Sequence, residues 1–350
     1  MSHSARRAGF RALRLGGYSL LLRPRTLLAA GVLLAIALLF TAFSLTQGSL
    51  PVPASAIGRA LFYPQALAEQ QRLVVWDIRL PRLLMALLCG AMLGMAGAAM
   101  QSLTRNGLAD PGLIGVKEGT SAVVLTLVIL FPATSLLWRP LAGMGGGLLV
   151  ALLVLGLARD LTRPRFILIG IGVSWLFAAA TGMFITTADV RDVQTALVWM
   201  AGSLHATSWP LLALAACWAL PAVLMLTLSV RAADIALTGN QAAIGLGVRL
   251  HRLALLRFIA PVLLTAASVS CVGSLGFVGL IAPHMARQLL RGGQVALLCG
   301  SALIGALLVL LADSIGRLAF APLQIPAGIV MALIGGPFFL LLLWRRRDAL

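Results

Sequence analysis

From residue 27 to residue 344 the chain is built of long apolar blocks separated by short polar or basic stretches. A helix needs about 20 mostly apolar residues to cross the hydrocarbon core of a bilayer. Blocks of this kind run over 27–47, 82–103, 119–137, 140–158, 166–187, 209–229, 254–273, 277–290, 295–316 and 326–344. The pattern therefore predicts ten transmembrane helices in a single membrane domain over 27–344, with 1–26 before it and 345–350 after it. The eighth block is short: at 1.5 Å per residue it reaches about 21 Å, against a core of roughly 30 Å. It holds Pro283 and His284. Proline removes a backbone donor and disrupts the preceding turn, which predicts a broken helix there.

Composition agrees with this all-α polytopic reading. Of 350 residues, 60% are hydrophobic and 11% are charged. A soluble domain carries about a quarter charged residues, so lipid must be the solvent for much of this surface.

Charge then orients the chain. The formal net charge is +17, and 26 of the 27 basic residues are arginine. They lie between the apolar blocks and form no single patch, which argues against nucleic acid. The set of segments holding the N-terminus, 104–118, 159–165, 230–257, 287–294 and 345–350 carries 20 of them, and the alternate set carries seven. Basic residues concentrate in cytoplasmic loops. Both termini are expected in the cytoplasm of a multi-pass protein of a bacterial inner membrane. The first block is longer than a signal-peptide core and lacks a small-x-small cleavage site near its end, so it is read as a retained span.

Two segments outside the blocks promise structure. The extracytoplasmic loop 48–81 contains "PASAIGRALF", a short amphipathic helix candidate with Ser55 as its cap. The cytoplasmic loop 230–253 predicts two short helices broken at Thr238-Gly239.

Catalytic constellations are missing. A phosphate-cradling Walker A loop needs Gly-x-x-x-x-Gly-Lys-Ser/Thr; Lys117 is the lone lysine and follows Val116. Nucleotide-driven work thus requires another chain, and no cofactor or metal is expected on this one. The four cysteines, Cys89, Cys217, Cys271 and Cys299, are isolated in apolar runs and read as small buried hydrophobes. Asp313 is the carboxylate deepest in an apolar run. Intramembrane acids are costly and often functional. Two roles stay open for it: a helix-face ion pair with Arg317 four residues on, or ion coupling in a secondary transporter. His284 has no second ligand-type residue near it in sequence and reads as a hydrogen-bonded structural histidine. Gly273, Gly276 and Gly279 stand three apart, and two other small-residue sets fit the same reading: Gly90, Gly94 and Gly97 in the second block, and Gly170, Gly172 and Gly182 in the fifth. Small residues on one face let membrane helices approach closely.

Four ordered blocks carry a family resemblance. Gly273-Ser274-Leu275-Gly276-Phe277-Val278-Gly279-Leu280, with Pro283-His284 and Arg287, resembles the signature G-x-I-G-F-V-G-L-x-x-P-H-x-x-R. "WDIRLPRLL" (76–84), "GAAMQSLTRNGLADPGLIGV" (97–116) and "LLADSIGR" with "LQIPAGIVMALIGGPFFLLLL" are similar to three further blocks of the same family. This is the FecCD-type family of permease subunits from iron–siderophore, haem and cobalamin ABC importers. The resemblance implies a type II, cobalamin-permease-like fold, dimerised with a second copy or a paralogue. It implies two cytoplasmic ATPase subunits that carry ATP–Mg, an extracytoplasmic substrate-binding protein, and a ferric siderophore as cargo, with cobalamin or haem as alternatives.

Roles follow from the same resemblance. Arg79, Arg82 and Arg317 match arginines that dock glutamates of the binding protein. Gly239, Gln241, Ala242, Ala243 and Gly247 match the coupling segment that enters the ATPase. The fifth span is expected to line the path with Ser174, Thr181, Thr186 and Thr187, with Arg163 and Pro164 at its gate. The sequence departs from the family at Gly107, where proline is usual, at Lys117 and Glu118, and at Gln324.

Overall fold

The computed structural model describes residues 11–15, 18–48, 52–53, 57–58, 63, 65, 68–131, 134–135, 137–158 and 164–346. Ser55 and Arg163 lie outside the described residues. A short antiparallel hairpin, β1 (Arg11–Leu15) and β2 (Tyr18–Leu22), precedes the helices; the sequence reading had placed no strand there. The helices follow as α1 (Pro24–Thr46), α2 (Glu69–Thr104), α3 (Val116–Leu130), α4 (Trp138–Ala158), α5 (Pro164–Thr187), α6 (Val190–Met200) and α7 (Trp209–Leu228). Next come α8 (Val230–Ala236), α9 (Asn240–Gly245), α10 (Leu250–Val272), α11 (Val278–Leu289), α12 (Gln294–Leu318) and α13 (Ala327–Arg346). Eight of them are long and apolar enough to cross a membrane. The shorter α3 and α11, of 15 and 12 residues, bring the bundle to about ten passes.

The centre is built from α2, α10, α11 and α12. Nearly every residue of α10 from Phe258 to Ser270 is buried, whereas α1 is the least buried of the eight long helices. The outside is a belt of exposed Leu, Val, Ile, Met and Trp, such as Leu39, Leu152, Trp175 and Leu220. In water that belt would aggregate; in lipid it has no driving force to hide.

The glycines of α2 set its spacing. A Cβ on Gly90 would overlap the Gly305 carbonyl, one on Gly94 the Ser301 carbonyl, and one on Gly97 the Gly279 carbonyl. These three therefore form the close-packing face expected of them, against α12 and α11. Around Gly172 and Gly182 of α5 nothing lies within 4 Å, so their small size serves no contact among the described residues.

Four expectations need correction. The second span starts earlier than residue 82: α2 begins at Glu69 and is π-helical over Leu73–Arg79. In that wider register the carbonyl of Trp76 faces residue 81, which is Pro81 and has no N–H. The Trp209 indole donates to it instead, at 2.9 Å, which meets the need of a buried carbonyl for a partner. The third span ends at Leu130, not residue 137, just before Pro132, since the residue preceding proline is pushed out of the helical region.

The eighth span is short for a different reason from the one expected. Helix α11 runs straight through Pro283, while Gly273 (φ 76°) and Phe277 (φ 65°) hold a non-helical linker before it. Gly273 and Gly276 thus sit in that linker, not on a helix face with Gly279. Finally, Cys217 and Cys299 are exposed on the bundle surface, and only Cys89 is buried.

Candidate functional site

Polar side chains gather at the two ends of the bundle. At one end, α1, α2 and α12 bring three arginines together. Arg79 and Arg82 are three residues apart, one helical turn, and both point inward: they are 7% and 8% exposed. A guanidinium removed from water needs acceptors. Arg82 finds them in Asp313, with Nη2 at 2.8 Å and Nε at 3.0 Å from Oδ1 and Nε at 3.1 Å from Oδ2. Its Nη1 donates to Gln324 Oε1 at 2.9 Å. His205 Nδ1 lies 3.2 Å from the same oxygen.

The other two arginines close the end of α1. Arg79 Nη1 donates to the Leu45 carbonyl at 2.7 Å. Arg317 donates to the carbonyls of Gln47 at 2.7 Å and Ser44 at 3.2 Å. The last carbonyls of a helix lack intrahelical donors and carry partial negative charge, so cations there are favoured. Ser44 Oγ adds a buried bond to Ser314 Oγ, 3.0 Å away. The three arginines, His205 and Gln324 line an open recess of about 690 Å³ with no acidic residue on its wall among the described residues.

The expected Asp313–Arg317 pair is therefore not formed. Arg82 from α2 takes the carboxylate as a fork, the geometry that suits guanidinium and carboxylate best, while Arg317 turns to the α1 carbonyls. The three arginines expected to dock the binding protein are not free surface charges. They are partly or wholly sunk in the bundle, and Arg82 is already neutralised.

At the opposite end the α8–α9 elbow stands out from the bundle. The two short helices are separated at Leu237–Gly239, as the Thr238-Gly239 break anticipated. Gly239 (φ 115°) and Gly247 (φ 82°) adopt backbone angles that favour glycine. Ala243 is fully buried beneath, while Gln241 and Ala242 are exposed. Leu237, Ile244 and Leu246 present 58%, 62% and 67% of their surface to the outside, an apolar cap without cover in this chain.

Several bonds wire this elbow to the membrane helices. Arg105, the left-handed C-cap of α2 at φ 51°, donates to Asn240 Oδ1 at 2.6 Å and to the Ala236 carbonyl at 3.2 Å. Asp234 of α8 accepts the Gln294 N–H at the start of α12, at 2.8 Å. Arg257 of α10, 1% exposed, donates to Gln294 Oε1 and to Ser229 Oγ. Sequence reasoning missed Arg105, Arg257, Asp234 and Gln294. The signal for Arg257 was an arginine followed at once by the apolar run of α10, which a bundle tolerates only if the charge is answered.

A third network lies at the same end, where Gln101 and Arg287 line one recess with Arg105, Leu237 and Gln294. Because Pro283 has no N–H, the Gly279 carbonyl four residues earlier lacks its helical donor. Gln101 Nε2 reaches it at 3.4 Å, and Gln101 Oε1 accepts from Arg287 Nη1 at 2.6 Å. Gly279 also lies beside Asp110, whose side chain caps the turn Pro111–Ile114 through the Gly112 N–H at 3.2 Å. Burial pushes the Asp110 carboxyl above its usual range. His284 contacts Gln288 Nε2 at 2.9 Å and meets the Phe338 ring edge-on at 5.8 Å, the surroundings of a packed structural side chain. Lys117 and Glu118 form a half-exposed pair at 3.6 Å.

The path residues expected on α5 do not share a face. Ser174 bonds back to the Gly170 carbonyl at 2.8 Å, and Thr181, two turns on, is buried. Thr186 and Thr187 are exposed and bond to carbonyls of their own helix. Pro164 opens α5 at its first position. The exposed side of α5 is large and apolar: Leu168, Trp175, Leu176 and Met183 are each more than 60% exposed.

Comparison with known proteins places this geometry. The family model described as the FecCD transport family matches residues 33–345. The iron-uptake system permease protein FeuC of Bacillus subtilis is 36% identical over 324 residues, covering 90% of this chain and 96% of that one. The vitamin B12 import system permease protein BtuC of Vibrio cholerae is 38% identical, covering 80% and 85%. Among solved structures, an inward-facing ABC transporter assigned to the metal-chelate type superposes with a TM-score of 0.80 at 29% identity, covering 90% of this chain and 98% of that one. With the match spanning nearly the whole bundle, this chain is a membrane permease of the FecCD transport family.

Proposed function

We propose that the chain is the membrane-spanning subunit through which an ATP-driven importer passes a ferric siderophore across the cytoplasmic membrane of a bacterium. The observation that carries this is the family match over residues 33–345, with an iron-uptake permease aligned along 90% of the chain. The excess of basic residues at the elbow end, 20 against seven, supports a cytoplasmic elbow and cytoplasmic termini.

Each end then has a task. The elbow offers a partner ATPase a small apolar knob, Ile244 and Leu246, hinged at Gly239 and Gly247 and tied to α2, α10 and α12 by Arg105, Asp234 and Arg257. Movement forced on the knob by ATP binding in two such subunits reaches the bundle through those bonds. ATP–Mg stays with the partners; this chain supplies no phosphate cradle. At the other end, Arg79 and Arg317 line an acid-free recess that suits carboxylates of a substrate-binding protein. The open apolar side of α5, with Gly172 and Gly182 uncovered, suits a second copy or a paralogue, and the pathway runs between the two.

Ion coupling through Asp313 loses its support, because the carboxylate is 1% exposed and already held by Arg82. Cobalamin is the second reading for cargo, favoured by the 38% identity to a vitamin B12 permease. The test is uptake by vesicles holding this permease with its partner ATPase and substrate-binding protein. Radiolabelled hydroxamate, citrate and catecholate iron chelates, haem and cobalamin are offered in parallel. ATP-dependent uptake of an iron chelate is expected; uptake of cobalamin alone would reject the siderophore reading. Ile244→Asp with Leu246→Asp is expected to abolish co-purification of the ATPase, and unchanged co-purification would remove the elbow from that contact.

A further inference from the structure

The elbow end of the bundle holds a groove that neither docking nor coupling uses. It lies between α1 and α12 and encloses about 310 Å³. Its walls are Leu27, Ala30, Val295, Ala296, Cys299 and Gly300, and its rim carries Arg23 and Arg291. From the rim to Ala30 and Gly300 the groove descends about two helical turns, near 10 Å. The arginines therefore sit where α1 and α12 begin, at headgroup depth, and the apolar walls reach into the hydrocarbon.

Two further observations limit what fits. Among the described residues no acidic side chain lines the groove; Asp234, which accepts the Gln294 N–H at 2.8 Å, is not part of its wall. Arg291 is exposed, and its guanidinium has no partner among the described residues. The backbone holds the rim together instead: Thr26 Oγ1 donates to the Arg291 carbonyl at 2.8 Å. The groove opens below that strap, and α1 is the least buried long helix. A water-filled slot lined by leucine, valine and alanine at this depth is unfavourable, and a bulky headgroup alone would leave it unfilled.

We infer that this groove is a binding site for one anionic phospholipid, its phosphate between Arg23 and Arg291 and an acyl chain along Leu27, Ala30, Ala296 and Cys299. Basic pockets between transmembrane helices on the cytoplasmic side are suited to such headgroups, and each arginine near the surface contributes about fivefold in affinity, so the pair gives about 25-fold preference over a zwitterionic lipid. The inference needs the bilayer and the orientation of the bundle; it does not depend on the cargo.

The full-length permease in nanodiscs of equal phosphatidylglycerol and phosphatidylethanolamine tests it by native mass spectrometry. One retained phosphatidylglycerol, preferred at least tenfold, is expected. Arg23→Gln with Arg291→Gln is expected to bring the preference to parity, and Ala296→Trp to lose the lipid by filling the groove. Arg72→Gln, at the opposite end, is expected to leave the preference unchanged. Helix content and elution volume report folding, and a variant that fails either is replaced by the single Arg291→Gln. Equal retention of both lipids by the unaltered chain overturns the site, and so does full preference in the double arginine variant.

Discussion

Removing Arg82 alone should cost more than removing Arg82 and Asp313 together. Asp313 is 1% exposed and its carboxylate takes three contacts from one guanidinium within 3.1 Å. Arg82→Met keeps an unbranched apolar stem but leaves a buried carboxylate without its cation. Breaking a buried pair from one side costs about 3–5 kcal/mol. Asp313→Leu strands the guanidinium in the same way, although Gln324 and the open recess still solvate Arg82 in part, so the lower end of that range is expected. In the double variant both charges disappear and two apolar side chains of similar volume remain. Its expected cost is under about 1.5 kcal/mol. The assay is unfolding of the purified permease in mixed micelles titrated with a denaturing detergent, followed by tryptophan fluorescence. A double variant as unstable as the sum of the singles would show that the two residues act independently, and the pairing would be wrong.

Packing, turn and capping features give three smaller tests in the same assay. Gly94→Ala drives a methyl into the Ser301 carbonyl and should cost about 1–3 kcal/mol, whereas Gly172→Ala, with nothing within 4 Å, should change stability little; equal effects would contradict the α2–α12 contact. Gln101→Leu removes both the donor to the Gly279 carbonyl and the acceptor of Arg287, for an expected loss of about 1–3 kcal/mol. Replacing Pro283 by Ala in that variant should restore part of it, because the helix regains its own donor; no recovery would mean that Gln101 does not serve the orphan carbonyl. Trp209→Phe deletes the N–H that reaches Trp76 O at 2.9 Å but keeps a ring beside Trp76. About 1 kcal/mol is expected, and no change would refute the bond.

Much of this was written in one-dimensional terms that a sequence displays. Apolar length set the number of passes at about ten. The α2 glycines revealed a contact face because their spacing matches a helix. What failed depended on partners distant in sequence. Asp313 and Arg317 are neighbours on one helix, so a local pair was the natural reading, but the carboxylate is met by Arg82, 231 residues away. Pro283 looked like a helix breaker; a glutamine from α2 supplies the missing donor, and the helix continues. The π-helical start of α2 left no mark in hydropathy, and the donor that meets its Trp76 carbonyl comes from Trp209, 133 residues away. Nor could periodicity tell that Ser174 and Thr181 turn inward while Thr186 and Thr187 turn out, because every face of α5 is apolar enough to be buried or to meet lipid.

The central claim is that this chain conducts but does not energise transport. Proteoliposomes made with the permease alone, and with the permease plus its ATPase and binding protein, separate the alternatives when each is given ATP or a proton or sodium gradient. Accumulation of the iron chelate only in the complete assembly, driven by ATP and unaffected by collapsing the ion gradient, is the predicted result. Accumulation by the permease alone, driven by an ion gradient and lost in Asp313→Asn, would contradict the account.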